Sequence, residues 1–435
     1  MRPILVRRLS TLIQPHSKLK RMAVVYTEHG AAKDVFKLTS VEPLDINKMK
    51  SSEVHVRMLA APINPADINM AEGVYGIKPP LPAIAGNEGV GVVEACGESV
   101  QSLKVGDWVV PADAAQGTWR SELVLPGKCM PPHAVCVCIC VYVCNKNYAC
   151  MSQAHNQCLT SLLAYPPSHR HLHHLRSSCD TPADKLLRVP HDIGLAAAAT
   201  LTVNPATAYR MLHDFAHLKK GDFVMQNGAN SAVGLAVIQM ARVLGLRTIN
   251  IIRHDRPNAA DTLRLLTNLG GDINIPDTFV DSAELKDILK DLPPIKLALN
   301  CVGGDLVTRM ARCLGQGAAI VTYGGMSKRP VSLPTDLLAY RGIKLKGFWV
   351  SQWYKDHTAV ERQRMMDAII DMIRQKQLTA FNEMHDLDDF PYALQQHMAP
   401  YRLRKVLLNL SPPDRLEEHD QKRQEDYSVF EATVR

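Results

Sequence analysis

The stretch Phe223-Val224-Met225-Gln226-Asn227-Gly228-Ala229-Asn230-Ser231-Ala232-Val233-Gly234 decides the fold. Phe223 to Gln226 reads as a short buried strand. The small residues that follow read as a loop, and a helix is expected from about Val233 to Leu244. The same alternation continues towards the C-terminus. Strands are expected at Arg247 to Ile252, Gly270 to Ile275, Leu297 to Cys301 and Ala318 to Thr322. Helices are expected at Ala259 to Leu269, Leu285 to Leu289 and Leu306 to Leu314. Strands alternating with helices of about ten residues predict βαβ units and a parallel sheet. Leu345 to Val350 reads as a last strand, and a helix over about Val360 to Gln375 leads the chain back to its first domain. That first domain, from Met22 to Leu125, is rich in short strands punctuated by Gly and Pro, a pattern that predicts a barrel-like β domain. The expected class is therefore α/β, with a β-rich domain over 22–202, a parallel-sheet domain over 203–346 and a return segment over 347–410.

Composition narrows the function classes. With 435 residues, 46% hydrophobic and 21% charged, the chain is neither collagen-like nor wholly disordered. No run reaches the ~18 apolar residues that span a bilayer, so no membrane association is expected. The formal net charge is +7, but Arg2, Arg7, Arg8, Lys18, Lys20 and Arg21 supply six of those charges, and no acid precedes Glu28. A near-neutral body lacks the electrostatic footprint of a nucleic-acid binder. The acid-free, arginine-spaced start over 1–21 reads as a mitochondrial presequence, with the mature chain beginning near Met22. Residues 411–435, after the Pro412-Pro413 pair, read as a disordered, solvated tail.

A small-residue loop between a strand and a helix is where a dinucleotide pyrophosphate fits, because helix N-terminal N–H groups point at it. The glycine fingerprint is incomplete here: Gly228 and Gly234 remain, while Asn230 and Ala232 hold the middle positions. At the end of the next strand stand Arg253, His254, Asp255 and Arg256. Two guanidiniums suit a 2′-phosphate and favour NADPH, while Asp255 keeps NADH open.

Several blocks extend this reading: Ala60 to Asn69 (AAPINPADIN), Gly86 to Gly91 (GNEGVG), Gly106 to Val109 (GDWV), Gly117 to Arg120 (GTWR), Val203 to Tyr209 (VNPATAY), Tyr323 to Met326 (YGGM) and Gly347 to Trp353 (GFWVSQW). In this order they resemble the medium-chain dehydrogenase/reductase superfamily, with a GroES-like catalytic domain and a Rossmann domain. Within it they resemble the mitochondrial trans-2-enoyl-CoA/acyl-carrier-protein reductases. Zinc members of the superfamily carry a ligand His in a Gly-His-Glu motif. Asn87 stands there, and Asn64 to Met70 holds no Cys, so no metal is expected. The resemblance implies reduction of enoyl thioesters by NADPH in mitochondrial fatty-acid synthesis, in the matrix, on acyl carrier protein or CoA, by a homodimer. It places the catalytic tyrosine at Tyr75, and glycines at 73 and 76 would let this phenol project into a cleft. It puts Asn204 at the nicotinamide end, Asn230, Ser231, Ala232 and Val233 along the pyrophosphate, and Tyr323, Gly324, Gly325 and Met326 beside the cofactor. Phe348, Trp349, Val350 and Ser351 would border cofactor and substrate, with Trp349 as a wall of the acyl pocket, and Lys405 would reach back to the cofactor. His254 lengthens the family's Arg-Asp-Arg run by one residue, which leaves the register of Arg256 open. The alternatives are a quinone or enone reductase on the same scaffold, and a nuclear-receptor binding protein supported only by the LxxLL string Leu159 to Leu163.

Eight of the 11 cysteines lie between Cys129 and Cys179. Cys136-x-Cys138-x-Cys140 alternates across an extended chain, and no Cys-x-x-Cys pair is present, so the spacing is wrong for a four-Cys zinc lobe. Val135 to Cys144 (VCVCICVYVC) is what an alternating TG/TA tract encodes. Gly127-Lys128 can hide a splice donor, and Ala183-Asp184 an acceptor in the same phase. Residues 127–183, 57 codons, are therefore expected to be a retained intron or a gene-model error whose excision leaves Pro126-Asp-Lys185.

Overall fold

The computed structural model describes residues 21–42, 44–126 and 185–411. The presequence up to Lys20, the Cys-rich segment with its LxxLL string, and the tail beyond Ser411 lie outside the described residues. The first domain is built on β1 (Met22–Tyr26), β2 (Lys37–Ser40), β3 (Glu53–Pro62), β4 (Ala83–Ile84), β5 (Val90–Cys96), β6 (Trp108–Pro111), β7 (Glu122–Pro126) and β8 (Leu186–Val189). β2, β1 and β4 form a small antiparallel sheet. The ten-residue β3 organises the larger one. Its one edge takes β5, and its other edge is shared by two strands in turn. β7 covers Glu53 to Arg57 on that edge, and a strand from the far end of the chain covers Ala60 to Pro62. Apolar side chains fill the interior, with Trp119 fully buried, edge-on to Phe36 at 5.4 Å and tilted against Phe390 at 5.5 Å. Trp119 lies in a bend ahead of β7, and its indole Nε1 donates to the Pro62 carbonyl.

The second domain is a six-stranded parallel sheet of β9 (Phe223–Asn227), β10 (Arg247–Ile252), β11 (Ile273–Pro276), β12 (Leu297–Asn300), β13 (Ala319–Thr322) and β14 (Lys344–Gly347). Their spatial order is β11-β10-β9-β12-β13-β14, so the chain reverses direction across the sheet between β9 and β12. A ligand crevice opens at such a switch point, beyond the carboxyl ends of the strands. β9 is buried at every position, as a central parallel strand must be. Its polar residues are tied to neighbouring strands. Gln226 Nε2 donates to Asn250 Oδ1 at 2.8 Å, and Asn227 Nδ2 donates to Asn300 Oδ1 at 2.8 Å. Asn227 Oδ1 accepts from the Cys301 N–H at 2.8 Å, which fixes the loop that leaves β12. These buried amide pairs tie β9 to its neighbours on both sides.

The last strand ends at Gly347, three residues earlier than expected. Val350 instead opens a helix, Val350–Asp356, which buries Val350, Trp353 and Tyr354. The spacing of these three is i, i+3, i+4, a helical face that a run of β-branched and aromatic residues disguises. A further helix, Asn204–Asp214, with Pro205 in its first turn, occupies the Val203 to Tyr209 motif. Finally β15 (Asn382–Asp386) and β16 (Lys405–Asn409) run parallel, and β16 is the strand that closes the free half of the β3 edge. No helix among the described residues is long and apolar enough to cross a membrane.

Candidate active site

The cleft between the two sheets is lined by Asn64, Tyr75, Asn87, Val203, Val350 and Ser351, among others. Asn64-Pro65-Ala66-Asp67 starts the helix Pro65–Ala71, and the Asn64 N–H donates to Asp67 Oδ2 at 2.7 Å. The helix ends in a turn whose Val74 and Tyr75 N–H groups both donate to the Asn69 carbonyl, so Tyr75 is held on a short, fixed loop. Its phenol oxygen accepts a 2.6 Å hydrogen bond from Trp349 Nε1, and the two rings meet edge to face at 5.5 Å. A Cβ on Gly76 would lie 3.1 Å from the Trp349 ring, so the glycine makes room for the indole as well as freeing the loop. Burial raises the Tyr75 phenol above its usual range, while Trp349 and the Ser351 hydroxyl beside it pull the other way. The phenol is therefore protonated at neutral pH. Because its oxygen accepts from Trp349, its own proton is free for another acceptor.

Beneath the cleft lies a buried polar network that sequence reading did not find. Lys405 Nζ donates to Asn64 Oδ1 at 2.5 Å, and Asn64 Nδ2 donates to Glu88 Oε2 at 3.0 Å. Glu88 Oε1 accepts from the Val203 N–H at 2.7 Å and from the Thr202 hydroxyl at 3.3 Å. Asn87 Nδ2 donates to Asp67 Oδ1 at 2.6 Å, and Asn87 Oδ1 accepts from the Ala115 N–H at 2.7 Å. The amide at the position of the zinc ligand is thus committed at both ends. Burial drives Asp67 up to about 7 and Lys405 down to about 8, Lys405 being held up in part by Glu88 and Asp67. The only sequence trace of this network is the helix-start pattern at Asn64 and the Asn-Glu pair inside Gly86 to Gly91. Among the described residues one other His/carboxylate cluster exists, His55 with Glu94 and Glu122, and Arg57 and Arg21 already pair with its two carboxylates.

The loop that leaves β9 is closely packed. Gly228 sits at φ +60°, and a Cβ there would come within 2.5 Å of Cys301 Sγ. Ser231 caps the helix Ala232–Val243, its hydroxyl accepting from the Gly234 N–H at 3.1 Å. The first-turn N–H groups of Ala232 and Val233 have no intrahelical acceptor. Asn230 lies beside them in the loop. The Asn204 side-chain oxygen is buried without a hydrogen-bond partner, and the buried Tyr323 hydroxyl lies beside Cys301 and Ser231 of the loop. A helix N-terminus and an unpaired buried carboxamide oxygen are groups that a dinucleotide can use. Gly324, Gly325 and Met326 follow Tyr323 on a loop tied back to β12, with the Met326 N–H donating to the Cys301 carbonyl at 2.9 Å. Met326 is exposed on the outside of that loop. Phe348 packs edge-on against Phe215 at 5.7 Å.

The two arginines are not alike. Arg253 is exposed, and its guanidinium lies 4.7 Å over the Tyr401 ring. Arg256 is only 5% exposed; its Nε donates to Asn258 Oδ1 at 2.9 Å and its Nη2 to the Tyr401 carbonyl at 2.7 Å. The expected pair of free guanidiniums is therefore one free and one anchored. The extra residue His254 is taken up by Asp277, to which both its N–H and its ring bond. Burial, and then the neighbouring Arg253 charge, lower the Arg256 pKa, so an anion between the two would be welcome.

Residues 50–131 match the profile of the alcohol dehydrogenase GroES-like domain, and residues 232–371 that of the zinc-binding dehydrogenases. Together with the sheet order and the cleft, these matches define a medium-chain dehydrogenase/reductase, with Asn87 where zinc members place histidine. The rat mitochondrial enoyl-[acyl-carrier-protein] reductase is 42% identical over 390 residues, which cover 89% of this chain and 88% of that one. Among solved structures, the Etr1p/NADP/crotonyl-CoA complex superposes with a TM-score of 0.71 at 28% identity, over 90% of this chain and all of that one. The mitochondrial 2-enoyl thioester reductase Etr1p/Etr2p heterodimer from Candida tropicalis does so at 0.71 and 30% identity, with the same coverage. The chain belongs to the family of mitochondrial enoyl-[acyl-carrier-protein] reductases.

Proposed function

We propose that this protein reduces trans-2-enoyl thioesters to acyl thioesters with NADPH, in the mitochondrial matrix, on acyl carrier protein or CoA. The observation that carries the reading is the 2.6 Å bond from Trp349 Nε1 to the Tyr75 oxygen at the mouth of the cleft. Bound NADPH supplies a hydride for the β-carbon of the substrate. Tyr75 supplies the proton: its O–H donates to the α-carbon side of the double bond, and the phenolate left behind accepts from Trp349 Nε1–H and from Ser351. Such a positioned donor contributes typically 10²–10⁴-fold in rate. Ala232 and Val233, with Asn230 and Ser231, hold the pyrophosphate through backbone amides. Asn204 offers its unpaired oxygen to the nicotinamide amide, and Arg253 the free guanidinium to the 2′-phosphate. Lys405 acts from below, by orienting Asn64 in the cleft wall. The Trp349 indole and Val350 exclude water from the acyl side.

A homodimer is part of the proposal. β14 is the edge of the parallel sheet, all four of its residues are exposed, and Leu345 is 43% exposed. An uncovered edge strand is a template for pairing with a second copy. The relative from Candida tropicalis, described as a heterodimer, supports such pairing. The test is NADPH oxidation by the purified protein on enoyl thioesters of graded length against quinones. Turnover of enoyl thioesters supports the reading; turnover of quinones alone overturns it.

A further inference from the structure

One residue of the catalytic domain touches three of the four residues at the tip of β10. Tyr401 lies on the loop between the helix Phe390–Met398 and β16, and it crosses to the other domain. Its ring carries the Arg253 guanidinium at 4.7 Å. Its hydroxyl donates to Asp255 Oδ2 at 3.2 Å, and its carbonyl accepts from Arg256 Nη2 at 2.7 Å. These contacts hold Tyr401 at φ +63°, a conformation that a residue with a Cβ rarely adopts. We propose that Tyr401 is a positioning residue for cofactor selectivity, presenting the Arg253 guanidinium, with the anchored Arg256 charge behind it, to the 2′-phosphate and drawing the Asp255 carboxylate away from the ribose.

This rests on the reading that Arg253, backed by the Arg256 charge, meets the 2′-phosphate. Arg253 is otherwise a long exposed side chain, and stacking on an aromatic face limits its freedom before any ligand arrives. An arginine held in place loses less freedom when it binds, so affinity rises without a new contact. The hydroxyl works in the same direction. An acid free at this position would hydrogen-bond the ribose diol of NADH and repel a phosphate; Asp255 is instead engaged by Tyr401. Selectivity for NADPH is thus set partly from the opposite domain.

The experiment is titration of the full-length protein with NADPH and with NADH, followed by cofactor fluorescence, with 2′-AMP and 5′-AMP as smaller probes. Tyr401→Ala is expected to weaken NADPH and 2′-AMP about tenfold and to leave NADH and 5′-AMP within about twofold. Tyr401→Phe keeps the ring and the carbonyl but releases Asp255, and is expected to weaken NADPH by only about two- to threefold while tightening NADH by a similar factor. Tyr401→Leu fills the volume without a π face and replaces the alanine variant if that one fails to fold. Equal weakening of NADPH and NADH by Tyr401→Ala or Tyr401→Leu, or no change in either, overturns the proposal. The double variant Arg253→Ala/Arg256→Ala separates the two levels. If it lowers selectivity while Tyr401→Ala does not, only the role of Tyr401 falls; if it leaves selectivity unchanged, the phosphate reading falls and the Tyr401 proposal with it.

Discussion

Exchanging Glu88 for glutamine tests whether the network under the cleft is a directional device. Every hydrogen bond in it runs one way: Lys405 donates to Asn64 Oδ1, Asn64 Nδ2 donates to Glu88, and Val203 N–H donates to Glu88 from the other side. Glu88 has to accept at both oxygens. In Glu88→Gln the new amide must turn its NH₂ either to Asn64 Nδ2 or to the Val203 N–H. Flipping Asn64 only moves the conflict to the Lys405 ammonium. Asn64 and Glu88 are each 1% exposed, so no water resolves it. A buried unsatisfied donor costs about 1–3 kcal/mol, and one partner removed from a buried ion pair about 3–5 kcal/mol. Asp67 still compensates part of the Lys405 charge, so about 3 kcal/mol is expected. At roughly 2–4 °C per kcal/mol for domains of 150–250 residues, the melting temperature should fall by about 6–12 °C. Lys405→Met should destabilise as well, by leaving two buried carboxylates without a cation. The double variant should lose at least about 1 kcal/mol less than the sum of the singles, because the residues share one network. The assay is denaturant and thermal unfolding of the four proteins side by side. Burial holds the Glu88 carboxyl above its usual range. A stability within about 0.5 kcal/mol of the parent would mean that Glu88 already carries a proton, and would refute the directional network.

Trp349→Phe keeps an aromatic ring beside Tyr75 and removes the N–H that steadies the phenolate. Turnover should fall about 10- to 100-fold while NADPH affinity is unchanged, since a hydrogen bond to a charged group is worth about 1.5–3 kcal/mol. His397 is buried beside Arg402 and Lys405, which with burial hold its imidazole down at about 2 instead of 6.5. Below pH 6.5 the unfolded chain therefore takes a proton that the folded chain refuses, so stability is lost as pH falls. Between pH 6.5 and 5.5 the parent should lose about 1 kcal/mol more than His397→Gln, measured by denaturant midpoints. A protein lacking residues 127–183, with Pro126 joined through one Asp to Lys185, should fold and bind NADPH, because β7 and β8 keep their partners β3 and β6. The transcript should exist without those 57 codons. Stoichiometric zinc on the full-length protein would contradict the intron reading.

The parallel-sheet domain was legible because its strands are continuous apolar runs and its helices repeat at 3.6 residues. Arg247–Ile252 is found at the expected bounds, and Ala319–Thr322 within one residue. The order of those strands was not legible, since nothing local records which strand lies beside β9. The helix Val350–Asp356 was hidden by composition, because Val, Trp and Tyr are strand formers whose spacing alone reveals the helix. At the site, the mobile-looking glycine frame around Tyr75 pointed to a projecting side chain, but the partner that fixes it, Trp349, is 274 residues away. Arg253 and Arg256 look equivalent in the sequence. Only the loop at Tyr401, 145 residues beyond Arg256, makes one of them an anchor. Asn64 and Glu88 escaped notice, and Lys405 was expected only at the cofactor, for the same reason: a buried polar network is assembled from distant segments, and no segment carries its pattern.

The most direct test of Tyr75 as proton donor is the paired measurement of turnover on an enoyl thioester and of NADPH affinity for Tyr75→Phe against the parent protein. The phenylalanine keeps the ring against Trp349 and removes only the hydroxyl. Turnover should fall by roughly 10²-fold or more with NADPH affinity unchanged. Full turnover in the variant would remove Tyr75 from the chemistry, and equal loss of turnover and cofactor affinity would make it a structural residue.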